Sequence, residues 1–293
     1  MFFGPRLYFA SLCGKLSSMY ETFYSLNQKP FSVTSNPSFL YLSPRHKEAL
    51  AHMIYGIRER VGFIEITGEV GTGKTTLCRT LLNQLDPSVK TAFIFNSNLS
   101  EVQLLQTILE DLGIKSTAKN KGAMFAELNQ FLLEQFRSGG NVVVIIDEAQ
   151  NLSKKLLEQI RMLSNLESAN EKLLQIILVG QPELREKLKD PSLRQLRQRI
   201  VVRYHIEALE RNEVSRYIGH RLDIAGANGR GPLFEELAVD QIHRFSAGIP
   251  RLINILCDKA LLNGFVNDSR KISEAHIQQA IQEIEGYIHE HHQ

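Results

Sequence analysis

The sequence predicts a three-layer α/β sandwich built on a parallel sheet and followed by a small all-helical domain, and three observations carry that prediction. Between about residues 62 and 205, short β-branched runs alternate with helix-length amphipathic segments. The runs are near-continuously apolar, as strands must be when helices cover both faces of their sheet. After about residue 207 no strand run appears and only helix-patterned segments follow.

Taken in order, the strands are FIEIT (63–67), TAFIF (91–95), VVVIID (142–147), LQIILV (174–179) and IVVRYHI (200–206). The segments between them read as helices over 74–84, 99–112, 123–137, 154–166 and 183–189, with right-handed crossovers joining the strands. Helical segments at 212–225, 234–245, 249–263 and 273–287 make the second domain, and a Gly-rich loop, AGANGRGP (225–232), separates the first two. The division is therefore 19–207 for the core with its N-terminal segment and 208–293 for the helical domain. Residues 1–18 read as a disordered extension or as a start site placed too early, with Met19 opening a better-patterned segment. Pro5, Arg6 and Lys15 interrupt any signal-peptide apolar region.

The 293 residues are enough for a large core in two domains. A formal charge of +2 demands no nucleic-acid partner, although it leaves room for a local basic patch. Three scattered cysteines exclude a disulfide framework or zinc site and point to a reducing compartment. Cys78 reads as core, and His289, His291 and His292 as a terminal tail. No apolar run approaches the roughly 20 residues of a membrane span.

The first strand runs directly into GEVGTGKTT, which completes the pattern G-x-x-x-x-G-K-[ST] at Gly68, Gly73, Lys74 and Thr75. Glycines let the backbone turn left-handed and bring its N–H groups around phosphates, and the following helix aims its positive end at the same point. Residues Gly68, Glu69, Val70, Gly71, Thr72, Gly73, Lys74, Thr75 and Thr76 are thus the expected nucleotide cradle, for ATP. Lys74 reaches the β and γ phosphates and the Thr75 hydroxyl ligates Mg2+.

NVVVIIDEAQ supplies a carboxylate at the tip of another strand. Asp147 is expected to hold Mg2+ opposite Thr75, and Glu148 to act as the general base on the attacking water. One Asp in that place also suits a helix N-cap, but two adjacent acids after the most apolar strand favour the catalytic role. LQIILVGQPEL ends the next strand at Gly180 and Gln181. The Gln181 side chain is placed there to contact the γ-phosphate or orient the water, and the alternative is a plain strand-to-helix turn made by Gly180 and Pro182.

The stretch 183–203 is the most basic of the chain, with Arg185, Lys187, Lys189, Arg194, Arg197, Arg199 and Arg203 against Glu183, Glu186 and Asp190. A solvated helix face, a nucleic-acid contact and a trans-acting arginine are all open to it, and position before the last strand favours the third. In SAGIPRLINILCDKA, Arg251 falls at a helix start, where the dipole disfavours a cation, so that a bound phosphate is the natural counter-charge.

Together these segments resemble an AAA+ ATPase, and more narrowly the ExeA/GspA-type ATPases of general secretion pathways and their short relatives in pilus and exosortase loci. The resemblance rests on YETFYSLNQKPFSVTSNPSFLYLSPRHKEALAHMIYGI, ITGEVGTGKTTLCRTLLNQL, VVVIIDEAQNL, IILVGQPELREKL, LRQLRQRI and GIPRLINILCDKALL, and covers about residues 19–285. It implies a P-loop NTPase fold with strand order 5-1-4-3-2 and ATP hydrolysis with Mg2+. Lys74, Thr75, Asp147 and Glu148 then form the Walker residues, with Gln181 as first sensor and Arg251 as second. Arg197 becomes the arginine finger, with Arg199 and Arg194 behind it. Phe31, Tyr41 and Leu42 would pack near the adenine.

The resemblance further implies assembly into rings or filaments, and a cytoplasmic protein recruited to the inner membrane by partners of an export or pilus machinery. The membrane helix and wall-binding domain of the longer members are not expected here. A DNA-associated ATPase like transposition regulators or origin-type loaders, and a slow nucleotide switch, are the alternatives.

Overall fold

Each predicted strand forms, and the ladder follows backbone pairing more closely than side-chain burial. The computed structural model describes residues 19–290 apart from 35, 96–98, 168–170 and 228–230, so the expectations for residues 1–18 and for the terminal histidines 291 and 292 lie outside it. The chain divides into two units. One holds residues 44–207, and the other joins the N-terminal residues up to 43 with those from 208 onward.

In the first unit β1 (Phe63–Gly68), β2 (Val89–Ile94), β3 (Asn141–Ile146), β4 (Gln175–Gly180) and β5 (Ile200–Ile206) pair in parallel in the order β2-β3-β4-β1-β5, the order 5-1-4-3-2 in reverse. The second strand starts earlier than its apolar run, because Val89 and Lys90 pair with Asn141 and Val142, and Phe95 is left outside it. Helices α3 (Lys74–Gln84), α4 (Glu101–Asp111), α5 (Lys121–Arg137), α6 (Lys154–Leu163) and α7 (Pro182–Leu188) fall where the pattern puts them. The α6 helix stops before the predicted 166 because Ser164 turns back, its hydroxyl donating to the Arg161 carbonyl.

Two further helices were not anticipated. Helix α2 (Pro44–Arg58) buries Ala49, Leu50, Met53 and Ile57 at helical spacing, and α8 (Arg194–Arg199) buries Leu196.

The second unit contains α1 (Met19–Phe23), α9 (Arg211–Leu222), α10 (Glu236–Ser246), α11 (Pro250–Val266) and α12 (Glu274–Glu290). The expected loop at 225–232 begins as a π-type turn, Asp223–Ala227, with Gly226 at φ 103°. The N-terminal segment corrects the expected domain division, since it completes this helical core instead of the sheet unit. Tyr20 donates to the Asp258 carboxylate (2.6 Å) and Tyr24 to the Ser269 carbonyl (3.0 Å). Phe31, only 1% exposed, packs edge-on against Phe234. Tyr41 rests against Tyr217 and His220. Phe31 is thus part of the packed core of this unit.

Candidate functional site

The strand order decides what can meet in the sheet unit. In a parallel sheet ligands collect at the carboxyl ends of the strands. There Gly68 ends β1, Asp147 and Glu148 follow β3, and Gly180 and Gln181 follow β4. Because β4 lies between β1 and β3, the Gln181 tip falls between the phosphate loop and the acidic pair.

The loop has the conformation that its glycines permit. Gly71 and Gly73 take φ of 85° and 96°, and α3 begins at Lys74 directly after the left-handed Gly73. A side chain at Gly68 would press on the Ile206 carbonyl and the Thr72 hydroxyl, so β1 and β5 can close there only around a glycine. Thr72 donates its hydroxyl to the Glu69 carbonyl (2.9 Å), and its own carbonyl lies 2.8 Å from Nε2 of the buried His46 on α2. The unanticipated helix therefore braces the loop from beneath.

Lys74 is 6% exposed, and its ammonium donates to the Gly68 and Glu69 carbonyls at 2.7 and 2.9 Å. Burial holds its pKa below the usual lysine range, against the pull of Glu148, Asp147 and Glu69. The ammonium is desolvated and held by two loop carbonyls at the start of α3, where a helix N-terminus favours an anion.

Asp147 is 1% exposed and accepts from the Thr75 hydroxyl at 2.5 Å and from the Glu148 N–H at 2.9 Å. Burial raises its pKa in spite of those bonds and of Lys74. Thr75 and Asp147 present two hard oxygens side by side, within hydrogen-bond distance of each other. That donor chemistry suits Mg2+.

Glu148 occupies the left-handed region at φ 52°. Its Oε2 accepts from the side-chain amides of Gln150 (2.5 Å) and Gln181 (3.1 Å). The Gln181 N–H in turn donates to Gln150 Oε1 (3.1 Å). Gln150 is the site residue that sequence reasoning passed over. Its signal was a carboxamide two residues beyond an acidic pair, with another carboxamide at the next strand tip.

The basic stretch is largely occupied by its own unit. Arg203 pairs with Glu65 across the β1–β5 register (3.3 Å) and also donates to the Arg197 carbonyl. Arg199 donates to Ser164 (2.7 Å), Lys189 pairs with Glu186, and Lys187 caps the carbonyls of Gln150 and Leu152. Arg194 is exposed and Arg197 half-buried, its guanidinium 3.5 Å from the Lys189 carbonyl. In the helical unit Arg251 is the second residue of α11 and is exposed, with Ile249 as the cap. Among the described residues no cluster of His, Cys, Asp or Glu is set to hold a further metal, and no helix is long and apolar enough to cross a membrane.

Residues 57–188 match the family described as "AAA domain". Over 270 residues the chain is 45% identical to general secretion pathway protein A of Aeromonas hydrophila, an alignment that covers 92% of this chain and 49% of the relative. The chain thus spans about half the length of the curated relative that it matches. Among solved structures it is similar to the Drosophila ORC bound to DNA (TM-score 0.65, 17% identity, 91% of this chain and 66% of that one). It is also similar to the Aeropyrum pernix ORC2 protein (0.60, 18%, 85% and 72%). A third is the Thermotoga maritima RuvB Holliday junction branch migration motor (0.55, 17%, 82% and 68%). At these identities the structures speak for the fold alone.

Proposed function

The chain carries an AAA domain and is a relative of general secretion pathway protein A, and on that premise we propose that it is a magnesium-dependent ATPase serving a bacterial envelope secretion, pilus or polysaccharide-export system. One observation supports this most: Lys74, Thr75, Asp147 and Glu148 gather at the carboxyl end of one sheet, with Asp147 buried against the Thr75 hydroxyl. Lys74 with the Thr75 hydroxyl and the Asp147 carboxylate is the set of groups that a phosphate and its divalent cation require.

In the proposed mechanism, the N–H groups of residues 68–73, with Thr76, surround the phosphates of ATP, and Lys74 lends them its charge. Thr75 and Asp147 hold Mg2+, which when bound neutralises charge on the phosphate oxygens. Glu148 takes the proton of the attacking water, and Gln181 orients that water. Arg251 acts as a second sensor of the nucleotide. Arg197 acts as an arginine finger supplied by a second copy of the chain, so that activity depends on assembly into a ring or filament. The protein works on the cytoplasmic side, with export-machinery partners recruiting it to the inner membrane.

The DNA-associated alternative is less favoured, because Lys187, Lys189, Arg199 and Arg203 of the basic stretch already have partners in the sheet unit. Phosphate release from MgATP by the purified chain tests the proposal. Turnover that disappears with EDTA and in Lys74→Ala is expected. No turnover at any protein concentration would overturn it.

A further inference from the structure

We propose that Gln150 is a positioning residue for Glu148, its one carboxamide setting both the base and the tip of the neighbouring strand. This rests on Glu148 being the general base.

Backbone geometry alone does not aim the Glu148 carboxylate. The residue sits in the left-handed region, and Asp147 holds its N–H. That fixes the start of the side chain and leaves its torsions open. Two amide donors then converge on a single oxygen, Oε2, from Gln150 at 2.5 Å and Gln181 at 3.1 Å. Gln150 is anchored in its turn. It lies in the short 3-10 turn Ala149–Asn151, and the Lys187 ammonium on α7 holds its carbonyl.

The other end of the same carboxamide reaches β4. Oε1 accepts the Gln181 N–H at 3.1 Å and lies 2.9 Å from where a Cβ on Gly180 would stand. The glycine that ends β4 is therefore the residue that lets Gln150 approach. Base and sensor are fixed together, since Gln181 is bonded to Gln150 through its backbone and to Glu148 through its side chain.

Only a carboxamide of this length can do both tasks, because it donates from one atom and accepts on another. Glutamate would keep the shape and the acceptor toward Gln181, but would set a second carboxylate against Glu148. Alanine would remove both bonds without adding a charge. A residue that merely fills space predicts the reverse order of damage, with the isosteric glutamate milder than alanine.

The experiment compares the wild-type chain with Gln150→Ala, Gln150→Glu and the reference Glu148→Gln. It measures kcat and KM for MgATP together with the Kd of a fluorescent ATP analogue. General-base catalysis is worth about 10²–10⁴-fold. Loss of its positioning should lower kcat about tenfold or more in Gln150→Ala, and further in Gln150→Glu. KM and Kd should stay within about threefold, since the removed bonds do not serve ground-state binding. Analogue binding also shows that each variant is folded. The proposal is overturned if Gln150→Glu is as active as Gln150→Ala or more so, if the change falls on KM, or if the variants no longer bind the analogue. When Glu148→Gln is inactive and Gln150→Glu is active, the positioning role alone is wrong. When Glu148→Gln itself turns over normally, the base assignment fails and this proposal falls with it.

Discussion

Replacing Gly248 by alanine tests how the start of α11, and with it Arg251, is held. Gly248 has φ 76°, and a Cβ built there would stand 2.0 Å from the Leu209 carbonyl oxygen and 3.0 Å from the Leu209 nitrogen. Both neighbours are backbone, so no rotamer change relieves the overlap. A left-handed alanine costs about 1–2 kcal/mol by itself. Clearing the overlap must also break the bond from the Leu209 N–H to the Gly248 carbonyl (2.9 Å), worth about 1 kcal/mol net. Together these give about 3 kcal/mol of local destabilisation, which converts to roughly a hundredfold in an opening equilibrium. Hydrogen exchange is the assay, since a chain of two units need not melt in one step. Amides at the start of α11 should exchange about a hundredfold faster in the variant, with those of α3 unchanged. Exchange in α11 within about threefold of wild type would refute the reasoning.

Two other predictions bear on charges. Burial raises the pKa of Glu65, 4% exposed in the middle of β1, against the lowering effects of Arg203 and Arg185. A carboxyl whose folded pKa exceeds its unfolded value favours folding when protonated, and that contribution fades as pH rises through the folded value. The ionised form is therefore a cost at neutral pH. Glu65→Gln should raise Tm at pH 7 by on the order of 2 °C, a gain that shrinks toward pH 4. A lower Tm at pH 7 would mean that the Arg203 pair outweighs burial. Arg197→Ala should bind ATP normally yet lose the rise of specific activity with protein concentration. Activity already independent of concentration in the wild type contradicts a shared site.

What was legible in the sequence was local or periodic. The inner strands β1, β3 and β4 are buried nearly throughout and read as almost continuous apolar runs, and the loop from Gly68 to Thr75 and the Asp147–Glu148 pair are fixed by adjacent residues. What escaped depends on distant contacts. Tyr20 meets Asp258 and Arg221 meets the Ser32 carbonyl, pairings that no window of sequence reveals. The same is true of His46 beneath Thr72, and of Arg203 in the basic stretch, which bonds to a buried glutamate. The Gln150 carboxamide is intermediate. Its position beside the acids is visible, but its two-ended bonding requires the tip of β4 to be next door.

The account stands most directly on single-turnover hydrolysis of ATP by Glu148→Gln. Asp147, Thr75 and Lys74 are intact in that variant, so it should bind MgATP as tightly as the wild type. Its cleavage rate should fall by about 10²-fold or more, the share that general-base catalysis supplies. Cleavage at the wild-type rate with ATP bound would contradict the central claim.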